Sequence, residues 1–142
     1  MAREVRRVLA IDGSIDAVWN ILSDPAVRAE AIGLVESYTV ENDTTVTWHV
    51  RLPIPLVRST VPVTTTDTTR EPPELVEFTA SSTAFKLRGR HRLETVDGQT
   101  HVENVFAIDG FVPGLERFFV RHLDQELKSL QTTLRRELAT TT

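Results

Sequence analysis

Leu115-Glu116-Arg117-Phe118-Phe119-Val120-Arg121-His122-Leu123-Asp124-Gln125-Glu126-Leu127-Lys128-Ser129-Leu130-Gln131-Thr132-Thr133-Leu134-Arg135-Arg136-Glu137-Leu138 is the stretch that decides the fold. Leu115, Phe119, Leu123, Leu127, Leu130, Leu134 and Leu138 recur at steps of three and four, which gathers them on one stripe of a long helix. Pro113-Gly114 punctuates the start, and residues 139–142, closing on Thr140-Thr141-Thr142, are expected to form a frayed tail. A stripe of this length has to be buried against a surface made by the rest of the chain. Upstream the sequence offers mostly short alternating segments, so the expected partner is a curved antiparallel sheet. A sheet wrapped round one helix can leave a cavity between them, and that is where function is expected.

Working back towards the amino terminus, Glu4 to Asp12 reads as a strand stopped by Asp12-Gly13. Ser14 stands where a helix N-cap belongs, with Asp16 in the first turn and Ile15, Val18, Trp19 and Leu22 on an apolar face, giving a helix from Ile15 to Ser23. Asp24-Pro25 starts a second short helix, running to Ala31. From Ile32 to Ile108 the period falls to two. The expected strands are Leu34 to Val40, Thr45 to Leu52, Val57 to Thr66, Leu75 to Ala80, Ala84 to Glu94 and Gln99 to Ile108. The turns between them are Asn42-Asp43, Pro53-Ile54-Pro55, the polar segment Asp67 to Glu74, Ser81-Ser82-Thr83 and Val96-Asp97-Gly98. No repeat or linker divides the chain, so residues 1–138 are expected to form one ligand-binding domain.

A two-residue turn at Asp97-Gly98 predicts a register for the last hairpin in which facing residues sum to 195. It sets Arg92 against Glu103 and Glu94 against His101 on one face. The other face receives Leu87 with Ile108, Gly89 with Phe106, His91 with Asn104 and Leu93 with Val102. One face is charged and complementary and the other is apolar with one polar pair, whereas a slip of one residue would mix the two sets. A similar turn at Asn42-Asp43 sets Ser37 against Trp48, leaving room beside the indole.

Composition narrows the function. The 142 residues include no Cys, which excludes disulfides and thiolate chemistry and suits a reducing compartment, and the formal net charge of -4 argues against nucleic-acid binding. No apolar run approaches the roughly 18 residues of a membrane span, and the amino terminus lacks a signal-peptide core, so a cytoplasmic location is expected. Enzyme fingerprints are missing, and His49, His91, His101 and His122 show no metal-ligand spacing; no metal and no cofactor are expected.

What remains is a set of cavity candidates. His91 and Asn104 are polar on an apolar face and must bond each other, water or a ligand. Trp48, Leu87, Phe106, Phe119, Leu123 and Leu127 are expected to line the cavity with them, and Glu126 at its edge. His122 and Glu126 lie one helical turn apart, either as a solvated pair or as an acid and base reaching inward. Catalytic candidates are therefore His91, His122 and Glu126, none of them compelling. Lys86, Arg88, Arg90 and Arg92 form a basic row read as a solvated outer face. Pro53-Ile54-Pro55-Leu56-Val57 and Phe111-Val112-Pro113 are apolar loops suited to a cavity rim or to a protein contact.

The words Ala10-Ile11-Asp12-Gly13-Ser14-Ile15-Asp16-Ala17-Val18-Trp19-Asn20-Ile21-Leu22-Ser23-Asp24-Pro25, then Phe85-Lys86-Leu87-Arg88-Gly89-Arg90, and the ending Leu123 to Leu138 resemble the START-like superfamily, often called SRPBCC. The branch is that of polyketide cyclase-like proteins and relatives of a small carbon monoxide dehydrogenase component. The resemblance implies an α+β helix-grip fold in the order β-α-α-β6-α, a seven-stranded curved antiparallel sheet around the C-terminal helix. It also implies binding or transport of a small hydrophobic molecule such as a lipid, quinone or polyketide. The alternatives are a cyclase, dehydratase or hydrolase acting on a polyketide-like or aromatic substrate, and a protein-interaction or assembly module. The chain is expected to be more a binder than an enzyme, a monomer or homodimer, with no nucleic-acid partner.

Overall fold

A computed structural model describes residues 3–31, 35–51, 60–111 and 114–140. In chain order these form β1 (Arg3–Ile11), α1 (Ile15–Leu22), α2 (Pro25–Ala31), β2 (Val35–Val40), β3 (Thr45–Val50), β4 (Val61–Glu71), β5 (Leu75–Ser81), β6 (Phe85–Val96), β7 (Gln99–Gly110) and α3 (Leu115–Thr140). The strands make one antiparallel sheet in the order β1-β7-β6-β5-β4-β3-β2, so every neighbouring pair but β1 and β7 is consecutive in the chain. The curved sheet grips α3, which is the helix-grip architecture. Ser14 caps α1, its hydroxyl accepting from the Ala17 N–H, and Val18, Trp19, Ile21 and Leu22 turn inward. On α3 the residues Leu115, Leu123, Leu127, Leu130 and Leu134 are buried, with Phe119 and Leu138 packed against the same core. The helix takes in Ala139 and Thr140, where a frayed tail was expected. Glu116 in its first turn accepts from the Gly110 N–H, tying the end of β7 to the start of α3.

The β6–β7 hairpin has the expected register at every position, from Phe85 opposite Gly110 to Val96 opposite Gln99. Its turn residues Asp97 (φ 50°) and Gly98 (φ 81°) both occupy the left-handed region that a two-residue hairpin turn demands. On the outer face Glu103 is engaged by Arg6 and, at 3.9 Å, by Arg90, while Arg92 opposite it stays exposed. The ring that covers Gly89 comes from β5: Phe78 faces it, and a Cβ there would sit 2.3 Å from Phe78 Cζ. Gly89→Ala should therefore displace Phe78 and destabilise the fold by about 1–3 kcal/mol, the usual range for overpacking. A denaturant midpoint unchanged by the substitution would show that the Phe78 ring moves freely.

Two further expectations fail, each for a local reason. The β2–β3 hairpin sets Tyr38, not Ser37, opposite Trp48, and Ser37 faces His49. Asn42 Oδ1 accepts from the N–H groups of Thr44 and Thr45, building a side-chain turn that lengthens the loop by one residue. The gap expected beside Trp48 is thus closed by a tyrosine. β4 runs on to Glu71, so the segment expected as a loop from Asp67 is strand, with a bulge between Asp67 and Thr69. Thr-rich sequence is good strand sequence despite its polarity. The apolar stretch 53–57 lies outside the described residues, and Phe111 is exposed. Among the described residues no helix is long and apolar enough to cross a membrane.

Candidate functional site

Between α3 and the concave face of the sheet lies a cavity of about 130 Å³. Trp48 and Val50 of β3, Phe78 of β5, Phe85, Leu87 and His91 of β6, and Phe106 and Ile108 of β7 form its floor. From α3 come Leu115, Phe118, Phe119, His122, Leu123, Glu126, Leu127 and Leu130, with Arg28 of α2 and Val35 of β2 at one side. Its volume is near the roughly 150 Å³ that admits one benzene ring and below the roughly 300–1,000 Å³ of pockets for drug-sized molecules. Phe106 packs edge-on against both His91 and Phe119, at 5.8 and 6.1 Å between ring centres, so aromatic side chains set much of the shape.

His91 is the polar point on the apolar floor. Its Nδ1 lies 2.7 Å from Asn104 Oδ1. Asn104 is fixed by its own amide nitrogen, which donates to the carbonyls of Val102 at 3.1 Å and Arg7 at 3.3 Å. Its Oδ1 can only accept, so His91 must donate from Nδ1, and the neutral ring keeps Nε2 as an acceptor. Burial, and after it the positive charge of Arg28, push the His91 pKa down to about 3, against the smaller opposing effect of the Asn104 hydrogen bond. Phe78 stacks on the ring at 5.7 Å. The imidazole is therefore neutral near pH 7, a weak base and a good hydrogen-bond acceptor.

The second polar feature escaped the sequence reading. Arg28, on the inward side of α2, donates from Nη2 to both carboxylate oxygens of Asp67 at 2.7 Å, and the two side chains are only 7% and 4% exposed. Arg70 shares the same carboxylate, its Nε donating to Oδ2 at 3.0 Å. The β4 bulge beside Asp67 lies where the carboxylate meets α2. Burial lowers the Arg28 pKa from its ordinary value, and the Asp67 charge opposes that shift. The guanidinium carbon sits 5.2 Å from the centre of the Phe78 ring. Arg28 Nε and Trp48 Nε1 are both buried without a hydrogen-bond partner. A buried cation in a run of small and acidic helix residues has no sequence signature. Its partner lies 39 residues away in a segment that reads as a loop.

All of Trp48, Leu87, His91, Phe106, Phe119, Leu123, Glu126 and Leu127 line the cavity. Asn104 does not: it stands behind His91, fully buried, and acts on the cavity through that ring. His122 and Glu126 both reach the cavity wall rather than forming a purely solvated pair, and His122 also packs on Phe118 at 4.3 Å. Among the described residues no group of three or more His, Cys, Asp or Glu could hold a metal ion.

Residues 2–135 match the family model described as polyketide cyclase / dehydrase and lipid transport. No curated protein matches the chain. Several solved structures share the fold at low identity. A conserved protein from Geobacillus kaustophilus superposes with a TM-score of 0.79 at 14% identity, covering 98% of this chain and 97% of that one. A START superfamily protein from Mycobacterium smegmatis gives 0.76 at 11% identity, with 98% and 99% covered. The Zhui aromatase/cyclase from Streptomyces sp. R1128 gives 0.73 at 14% identity, with 98% and 94% covered.

Proposed function

The chain belongs to the polyketide cyclase / dehydrase and lipid transport family, and from that premise we propose that it binds a small, largely apolar molecule bearing a hydrogen-bond donor, held between α3 and the sheet. The observation that carries this reading is a neutral His91 acceptor, fixed in its tautomer by Asn104, on the floor of an otherwise apolar cavity. Apolar walls supply affinity without direction, and one placed polar group supplies orientation. The cavity suits a single-ring occupant; a lipid or multi-ring polyketide requires the walls to part.

Titration calorimetry with p-cresol and toluene tests this. The phenol should bind about tenfold more tightly, the worth of one hydrogen bond of about 1.5 kcal/mol, and His91→Phe should abolish that difference. Equal affinities in the native protein would remove His91 from the site, and no binding of either compound would remove the reading. A second reading, cyclisation or dehydration in the same cavity, is favoured by His122 and Glu126 on its wall one turn apart. It fails if turnover of an aromatic polyketide mimic is unchanged in both His122→Ala and Glu126→Gln.

A further inference from the structure

We propose that the molecule this cavity takes is a compact hydroxy-aromatic acid, whose carboxylate is received at the Arg28 side of the cavity while its hydroxyl donates to His91 and its ring lies among Phe78, Phe106 and Phe119. The inference rests on the binding reading above and sharpens it to a ligand class. Only three buried side-chain polar atoms among the described residues lack a partner, and two of them, Arg28 Nε and Trp48 Nε1, belong to residues lining the cavity. Both are donors. Unsatisfied buried donors are rare in folded proteins, and each costs the desolvation of its N–H group unless an acceptor arrives.

Charge points the same way. Asp67 is the buried carboxylate of the cluster, and it is shared between two guanidinium groups, Arg28 and Arg70. Asp24, four residues before Arg28, is exposed, accepts from the Ala26 N–H and acts on Arg28 less than Asp67 or Arg70 does. The Arg28–Asp67–Arg70 cluster therefore carries one net positive charge, and Arg28 is its member on the cavity wall. Glu126, also on the wall, is half-buried and has a partner of its own, so an incoming cation finds less there than an anion finds at Arg28. Arg binds carboxylates through several N–H groups at once, and those of Arg28 beyond Nη2 are not bonded to the described residues. The volume of about 130 Å³ limits the remainder of the ligand to about one ring.

Calorimetric titration with 4-hydroxyphenylacetate, its neutral isostere 4-hydroxyphenylacetamide, and the amine tyramine separates the possibilities, with p-cresol as the reference ligand. The hydroxy acid should bind at least tenfold more tightly than the amide, and the amine most weakly. The advantage of the acid should vanish in Arg28→Met/Asp67→Leu, checked for a retained unfolding transition, and persist in Arg88→Gln, which changes only the exposed outer face. Equal binding of acid and amide, or tighter binding of the amine, overturns the inference and leaves the binding reading standing. So does an acid preference that survives in the double variant. Failure of p-cresol together with the other three compounds takes both down.

Discussion

Asp67→Leu should destabilise the protein by about 3–5 kcal/mol, because it strands the Arg28 guanidinium inside the fold without its carboxylate. That is a large share of the roughly 5–15 kcal/mol of stability typical of a domain. Arg70 suffers less, since its side chain is 35% exposed and also donates to the carbonyls of Ser23 and Asp43. Removing both buried charges is a different experiment. In Arg28→Met/Asp67→Leu, two apolar side chains of similar reach replace a pair whose desolvation offsets much of its attraction, so the double variant should lie within about 1 kcal/mol of the native protein. Urea unfolding of the four proteins closes the double-mutant cycle, with a coupling of about 2 kcal/mol or more. Additive losses would mean that Arg28 reaches water once Asp67 is gone. Such a result would make the buried end of the cavity wetter than the 7% exposure of the Arg28 side chain implies.

The pair also marks where sequence reasoning stopped. The Asp97-Gly98 turn was legible because both residues must enter the left-handed region, and one turn then dictates every facing pair in β6 and β7. The α3 stripe was legible because its spacing leaves only one face to bury. Asp67 was not, since a carboxylate in Thr-Thr-Thr-Asp-Thr-Thr reads as a solvated loop unless its buried cation is known. Polarity there reports a pairing 39 residues away rather than exposure. The Asn42 turn fails to announce itself for a similar reason, because a side chain standing in for backbone adds a residue to the loop that the sequence does not display. His91 and Asn104 were legible as a pair from register alone. Which ring nitrogen carries the proton needed the two carbonyls that hold the Asn104 amide.

The native protein should lose roughly 4–5 kcal/mol more stability than His91→Gln between pH 7 and pH 3, as the unfolded histidine takes up a proton that the folded one refuses. The folded pKa of His91 is lowered from the ordinary 6.5 to about 3, chiefly by burial. Above pH 6.5 the ring is neutral in both states and the stability is fully present. As the pH falls below 6.5 the unfolded chain binds one more proton than the folded chain, so stability declines by about 1.4 kcal/mol per pH unit. The decline ends near pH 3, where the folded ring titrates as well. Carboxylates titrate over the same range in both proteins, so the measured quantity is the divergence of two curves of unfolding free energy against pH. The glutamine of the variant has no such proton and can still donate to Asn104 Oδ1, which keeps the rest of the network comparable. Parallel curves would mean that His91 is protonated in the folded protein at mildly acidic pH, with Nε2 a donor rather than an acceptor. That outcome would reverse the polarity of the cavity floor below about pH 6.5 and weaken a hydroxyl-donating ligand there as the pH falls. Divergence of the expected size instead fixes Nε2 as the acceptor a bound molecule meets across the whole range above about pH 4.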